Sequence, residues 1–394
     1  MDLASFDFTA RTRLVFGAGT LARLGTLARE LGARRVLLVT DRGLVAAGHA
    51  ARAEASLHAA GCEPASFVEA SEDPDALDVA RCAHAAKAAF PGSTPELLVG
   101  LGGGSAIDVA KGAAMLLACG GRMQDYWGYG KTSAPLLPLI AVPTTAGTGS
   151  EVQSYALIAD ESTHQKMACG AADAAPRVAV LDPELTRTCP GFVTACAGLD
   201  AIGHALETAV TTKRTQLSAL FSHAALRLLA ANFARVLEAP SELEARAGML
   251  LGASWAGLAI EHSMLGAAHA LANPLSARAG LTHGLAVGLA LPAVVRFNAT
   301  EPTARARYAE LARSAELCAS ETDEAAAVEA LLAFLGRALA CAGVARELSA
   351  HGVSQRSVKA LAEEAGRQWT AQFNPRPAGQ AEFEALLGAA LRGE

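Results

Sequence analysis

The chain has 394 residues, 52% hydrophobic and only 18% charged, with a formal net charge of −6 and a mean hydropathy of +0.27. Disorder needs low hydrophobicity and high net charge, and nucleic-acid binding a basic patch, so this composition excludes both. A membrane span needs about 18 consecutive apolar residues; the run 247–260 stops at Glu261 and the run 284–295 contains Pro292, so both read as buried core helices.

In chain order, short Val-, Leu- and Ile-rich runs at 13–16, 35–39, 65–68, 97–101, 139–142 and 178–181 predict strands. Ala-rich stretches between them, such as 21–31 and 78–89, predict helices. The alternation predicts a largely parallel sheet covered on both faces, with ligands bound beyond the carboxyl ends of its strands. From about Thr194 the β-branched runs disappear, and 198–210, 216–231, 241–260 and 324–342 predict helices. A proline-bracketed connector at 182–190 separates an α/β domain over 1–187 from an all-helical domain over 188–394. The first residues, Met1 to Asp7, are acidic and carry no apolar stretch, which reads as no export signal. Eight cysteines with no CxxC pair then read as reduced thiols of a cytoplasmic protein.

Two loops follow strands in the α/β half and are built for ligand contact. The strand ending at Leu101 runs into Gly102, Gly103, Gly104, Ser105 and, one turn on, Asp108. Glycines let backbone amides approach a phosphate, and the helix that follows presents its positive end there; Ser105 is placed to cap that helix. The second loop runs from Pro143 to Glu151 and is rich in Thr, Ser and Gly, a composition suited to hydrogen bonds with ribose, phosphate or an amide, or to an ordinary turn. A third segment, Gly17-Ala18-Gly19-Thr20-Leu21-Ala22, also fits the G-x-G-x-x-A dinucleotide pattern. The triple-glycine loop is the better pyrophosphate site, so Gly17 and Gly19 read as turn residues. Asp41 ends the second strand; it either binds ribose hydroxyls, favouring NAD over NADP, or caps the next helix.

The helical half holds a candidate metal set. Asp200 and His204 are four apart on one predicted helix, so their side chains share a face. His269 closes the stretch 266–272, which Asn273-Pro274 is expected to break, and His283 opens the next helix. One carboxylate and three imidazoles suit Fe, Zn, Cu or Ni. Each histidine alone also fits a core or capping role, as we read His223, His262 and His351. The sequence thus predicts a mostly parallel α/β dinucleotide-binding domain followed by an all-α metal-binding domain.

These motifs in this order resemble the iron-containing (group III) alcohol dehydrogenases, which have a dehydroquinate-synthase-like fold, over nearly the whole chain. Residues 102–111 are similar to the family's GGGSxxDxAK loop, 143–151 to its PTTAGTGSE loop, 182–186 to its DPELT segment, Asp200 and His204 to its DxxxH pair, and His269 and His283 to its later ligands. Residues 291–298 and Asn374-Pro375-Arg376 resemble two further segments. The resemblance implies an NAD-dependent dehydrogenase whose divalent metal, Fe²⁺ or Zn²⁺, is held by Asp200, His204, His269 and His283. It places Gly103, Gly104, Ser105 and Asp108 at the pyrophosphate. Thr144, Thr145 and Thr148 line the cofactor cleft, Lys166 reaches a ribose hydroxyl, Asp41 holds the adenine ribose, and Asp73 stands where members often have Asn. Many members carry another histidine at the position of Asn273, which can hydrogen-bond a substrate oxygen but cannot relay a proton.

The expected reaction is hydride transfer between NAD(H) and a small alcohol or aldehyde, in a homodimer or higher homo-oligomer without nucleic-acid or membrane partners. Rival readings are a polyol-phosphate dehydrogenase or sugar-phosphate cyclase of the same fold, and a non-catalytic nucleotide-binding protein. The first needs Lys and Arg around the ligands, where only Arg278 is near in sequence.

Overall fold

The computed structural model describes residues 5–163 and 165–394. They form two compact units, one of Thr9–Thr145 with Gly149–Cys189, the other of Ala146–Thr148 with Pro190–Glu394 and the described residues through Phe8.

The first unit is α/β. Its elements are β1 (Arg13–Phe16), α1 (Leu24–Glu30), β2 (Arg35–Val39), α2 (Arg42–Ala46), α3 (His49–Ala59), β3 (Glu63–Phe67), α4 (Ala76–Ala89), β4 (Leu97–Gly102), α5 (Gly104–Cys119), β5 (Gly128–Tyr129), β6 (Leu139–Pro143), β7 (Tyr155–Ala159), β8 (Lys166–Gly170) and β9 (Val178–Leu181). Six strands form a sheet in the order β1-β9-β6-β4-β2-β3, every pair parallel. Strand residues alternate between its faces. Val36, Leu38, Val99, Leu101, Ile140 and Val142 pack with Leu24, Leu27 and Leu57 of α1 and α3. Leu37, Val39, Leu98 and Ala141 pack with Val79 and Cys82 of α4 and Ile107 and Ala110 of α5. Strands buried on both faces read as continuous apolar runs, which is why five of the six were visible in the sequence to within a residue or so.

The second strand pair departs from expectation. β3 begins at Glu63, two residues early, because its polar residues lie on a sheet edge. The antiparallel pair β7/β8, with β5 beside it, was not predicted at all. The Lys, Met, Ala, Cys and Gly of β8 carry little β propensity, so pairing with β7 decides their state. The predicted helix 21–31 divides into a 3₁₀ turn, Thr20–Arg23, and α1.

The sheet order turns at β2. From there the chain steps outward to β3, then returns past β2 to β4 and β6. Loops after β2 and β4 therefore flank a topological switch point, the place where parallel sheets leave a ligand crevice.

The second unit is helical: α6 (Gly191–Val210), α7 (Gln216–Glu238), α8 (Leu243–Glu261), α9 (Ala267–Ala279), α10 (His283–Asn298), α11 (Pro302–Ser314), α12 (Glu324–Cys341), α13 (Val358–Gly366) and α14 (Gln380–Arg392). Their apolar faces share one core. α7 is long and apolar enough to cross a membrane by length and composition; its Leu226, Leu229, Phe233 and Val236 lie in that core. Asn273-Pro274 does not break its helix, and α9 runs on to Ala279. Pro274 forfeits a hydrogen bond to the carbonyl one turn back, yet Leu271, Ala272, Pro274 and Leu275 are all buried and hold the helix in place. The helix ends instead at Gly280, whose φ of +68° supplies the left-handed stop.

Candidate cofactor loops and metal centre

The two glycine loops that looked alike in sequence differ in what their amides do. Gly17 and Gly19 take φ values of +141° and +75° and turn the chain tightly after β1. The Gly19 amide donates to Asp182 Oδ1 at 3.1 Å, and the Leu21 amide to Asp182 Oδ2 at 3.0 Å. Asp182 is fully buried, and its Oδ1 also accepts from the Glu184 amide. A protein carboxylate thus occupies the place a phosphate would need. Gly17 and Gly19 are turn residues.

The loop after β4 has no such occupant. Gly102 has φ +156°, and a Cβ there would lie 2.7 Å from Ala106 Cβ. Gly103 is the N-cap of α5 and has no side-chain capping bond. Ser105 stands in the first turn of α5, so it does not cap the helix as expected. The first amides of α5 have no partner within the helix and carry its positive end. β6 lies beside β4, and the Thr144 amide donates to the Gly102 carbonyl at 2.9 Å. Thr145 Oγ1 is 3.4 Å from where a Cβ of Gly103 would stand. On the other side, Asp41 Oδ1 caps α2 by accepting from Leu44 N at 3.0 Å, and Oδ2 lies 3.7 Å from a Cβ position on Gly102. Asp41, Gly102, Gly103, Gly104, Ser105, Thr144 and Thr145 thus lie together along the carboxyl ends of β2, β4 and β6.

The remaining expected cofactor residues are placed differently. Asp108 is buried and turned inward: Oδ1 accepts from Ser150 Oγ at 2.5 Å and Oδ2 from Leu157 N at 3.0 Å. Buried Lys111 completes the cluster, donating to Ser150 and to the Tyr155 carbonyl. Asp108 fastens α5 to β7. Lys166 and Asp73 meet in an ion pair of 2.9 Å, with Asp73 in the left-handed region at φ +49°. Thr148 is exposed and belongs to the helical unit.

In that unit, Asp200, His204, His269 and His283 converge. α6 supplies Asp200 and His204, α9 supplies His269, and His283 is the first residue of α10. From Asp200 Oδ1, the Nε2 atoms of His269, His204 and His283 lie at 3.3, 3.5 and 3.8 Å. The His204 and His269 rings stack at 4.8 Å, and His269 and His283 lie 5.5 Å apart. Close packing of the helices depends on Gly203 and Gly284, where a Cβ would stand 2.4 Å from Val287 Cγ1 and 2.0 Å from the Cys196 carbonyl.

The donor set fits a divalent cation. Asp200 Oδ1 and His269 Nε2 are buried and face one another without a hydrogen bond of good geometry. Leaving two such atoms bare inside a core is costly. Four ligands about 2.0–2.2 Å from a tetrahedral ion stand roughly 3.3–3.6 Å apart, and the three distances from Asp200 Oδ1, 3.3, 3.5 and 3.8 Å, are close to that. Among the described residues, Asp200, His269 and His283 also form the one group whose ligand atoms all lie within 4.8 Å of one another. Burial would raise the Asp200 carboxyl, but the three imidazoles outweigh it and hold it well below the carboxylate range. Burial, helped by His269, lowers His204 to about 4 against the pull of Asp200, so its ring is neutral and ready to ligate. His269 goes the other way: burial opposes its charge, but Glu207 and Asp200 on either side raise it to about 9. A cation held by Nε2 would take the place of that proton.

Glu207 was missed by the sequence reading. It is almost fully buried on α6, seven residues after Asp200 and therefore on the same face. Its Oε2 lies 2.5 Å from His269 Nδ1, and its Oε1 accepts from the Ala268 amide at 2.6 Å. The spacing, i+7 from Asp200 and i+3 from His204, put a carboxylate on the ligand face, but the contact that gives it a role spans 62 residues of chain. Asn273, one turn beyond His269, is half-buried and donates to Gln368 Oε1 at 2.9 Å.

Known proteins match this chain over nearly its whole length. Residues 11–183 match the family described as iron-containing alcohol dehydrogenase, and residues 194–391 match the C-terminal family of Fe-containing alcohol dehydrogenases. The NAD-dependent methanol dehydrogenase of Bacillus methanolicus is 31% identical over 96% of this chain and 97% of its own. A crystal structure of 1,3-propanediol oxidoreductase superposes with a TM-score of 0.93 at 28% identity, covering 98% of this chain and 100% of the other. Sulfoacetaldehyde reductase from Bifidobacterium kashiwanohense, solved with NAD⁺, gives a TM-score of 0.88 at 26% identity over 99% of this chain and 100% of its own.

Proposed function

The chain belongs to the iron-containing alcohol dehydrogenase family, and on that premise we propose that it interconverts a small, uncharged alcohol and its aldehyde with NAD(H). The observation that carries this reading is the convergence of three imidazole Nε2 atoms on Asp200 Oδ1. Asp200, His204, His269 and His283 would hold the divalent ion, Fe²⁺ or Zn²⁺, which would supply Lewis acidity to the alcohol or aldehyde oxygen. A nicotinamide bound in the cofactor groove would supply or accept the hydride.

The rest is done by the chain's own residues. The open amides of α5 at Gly103, Gly104 and Ser105 take the pyrophosphate. Asp41 turns one oxygen to the adenine ribose while the other caps α2, and its charge disfavours a 2′-phosphate. Thr144 and Thr145 border the same groove, with Thr148, Lys166 and Asp73 as further cofactor contacts. Asn273, steadied by Gln368, donates to a substrate oxygen and orients it without transferring a proton. Asp108 serves the site by holding α5 in place. Among the described residues, none of the eight cysteines is in a disulfide, which suits a cytoplasmic enzyme. Exposed Phe6, Phe8, Phe192 and Leu220 leave apolar surface for a homo-oligomer.

The test is to strip the protein of metal, reload it anaerobically with Fe²⁺ or Zn²⁺, and follow NADH with a panel of short aldehydes. Metal-dependent NADH oxidation is expected. Absence of turnover with every aldehyde, despite bound metal and NADH, would turn the reading toward a non-catalytic nucleotide-binding protein.

A further inference from the structure

We infer that Glu207 is a positioning residue for the metal centre, fixing both the ring and the backbone of His269. The inference rests on the metal-holding role proposed above.

Both oxygens of Glu207 are committed. Oε1 accepts from Ala268 N at 2.6 Å, and Oε2 lies 2.5 Å from His269 Nδ1. A carboxylate offers no proton, so the hydrogen in the second contact sits on Nδ1. That leaves Nε2 to face Asp200 Oδ1, 3.3 Å away. A ligating histidine needs this arrangement: one ring nitrogen donates to an acceptor, and the other keeps its lone pair for the ion.

The backbone contact is just as specific. Gly266, the N-cap residue of α9, has no side chain to satisfy the amides that follow it. Glu207 and Asn374 supply acceptors instead, Asn374 Oδ1 taking Ala267 N at 3.2 Å. A Cβ at Gly266 would stand 2.9 Å from Asn374 Oδ1 and 3.2 Å from Glu207 Oε1, so the two side chains fill the place a capping residue would use. Asn374 is locked in turn by Asn298, whose amide also reaches the Tyr308 hydroxyl. The start of α9, two residues before the ligand, is thereby clamped from α6 on one side and from the C-terminal region on the other. Asp200, His204 and Glu207 share one face of α6, so a single helix supplies two ligands and the support of a third.

Two substitutions separate a positioning role from simple packing. Glu207→Gln keeps the volume and an oxygen for the Ala268 amide, but turns an NH₂ toward Nδ1 and drives the proton to Nε2. Glu207→Asp leaves a gap but keeps an acceptor-only group. Zn²⁺ affinity of the stripped protein is measured by chelator competition, alongside thermal unfolding without metal. We expect the Gln variant to melt near wild type and bind Zn²⁺ about 10–100-fold more weakly. The Asp variant should melt lower yet bind Zn²⁺ more tightly than the Gln variant. Affinity that follows melting temperature, or a Gln variant matching wild type, overturns the inference. If wild type itself binds no Zn²⁺, the metal reading fails first, and independently of Glu207.

Discussion

Two loops of the α/β unit share a grammar of strand, glycines and helix, and end in opposite roles. After β1, the amides of Gly19 and Leu21 are taken by buried Asp182. After β4, the amides that open α5 meet no capping side chain. A glycine loop is therefore a site only when its own chain leaves its amides unpaired. The motif gives the geometry, and a carboxylate 161 residues beyond Leu21 decides whether a ligand is wanted.

The sharpest way to break this comparison is to free the first loop. Asp182→Ala leaves the Gly19, Leu21 and Glu184 amides without their acceptor. At about 1–3 kcal/mol for each buried donor stranded, a loss of roughly 3 kcal/mol or more is expected in urea unfolding. Affinity of the folded variant for NADH should be unchanged; a loss there would make the first loop a cofactor loop after all.

Filling the second loop should act with opposite signs on fold and ligand. Gly103 has φ −70° and ψ −176°, which any residue adopts, and it stands at the N-cap of α5. Gly103→Asp adds a capping carboxylate and should stabilise the unit by about 0.5–1 kcal/mol. The same charge opposes a pyrophosphate, and NADH should bind about 10–100-fold more weakly. Thermal unfolding and NADH titration read both; NADH affinity at the wild-type level would show the pyrophosphate lies elsewhere.

A smaller effect is expected at the neighbouring strand end. Asn caps helices about as well as Asp, so Asp41→Asn should keep α2 while removing the charge beside Gly102. Preference for NADH over NADPH should fall about tenfold in competitive titrations, chiefly through tighter NADPH binding. A variant that loses both cofactors equally would assign Asp41 to the helix alone.

What the sequence made legible follows the same division. Buried parallel strands announce themselves as apolar runs, and Asp200 and His204 share a face by helical spacing alone. β8 did not, because its weak β formers take their state from the partner strand β7. Pro274 misled because local propensity does not count the buried Leu271 and Leu275 that keep α9 whole. Asp108 fits the motif of a phosphate loop, yet its contacts with Ser150 and Leu157 show that a motif residue can serve by holding the loop's helix. Glu207 was hidden for another reason: support of a ligand depends on a contact across 62 residues of chain.

The smallest prediction concerns the far end of the Asp182 clamp. The 3₁₀ segment Pro183–Thr188 begins at Asp182 and ends where Thr188 Oγ1 meets buried His49 Nε2 at 2.8 Å. Burial and then the nearby Arg52 charge lower the His49 pKa, only partly offset by Asp182. The folded state therefore favours neutral His49, whereas the unfolded chain protonates it near pH 6.5. Its contribution to stability is full above about pH 6.5 and is lost as pH falls from there toward the folded value. Unfolding free energy against pH should decline less steeply in His49→Gln than in wild type over that acid interval. In Asp182→Ala the decline should steepen, because the one charge that favours protonated His49 is gone. Parallel acid limbs in all three proteins would mean that His49 titrates alike folded and unfolded, and that the clamp's reach ends before Thr188.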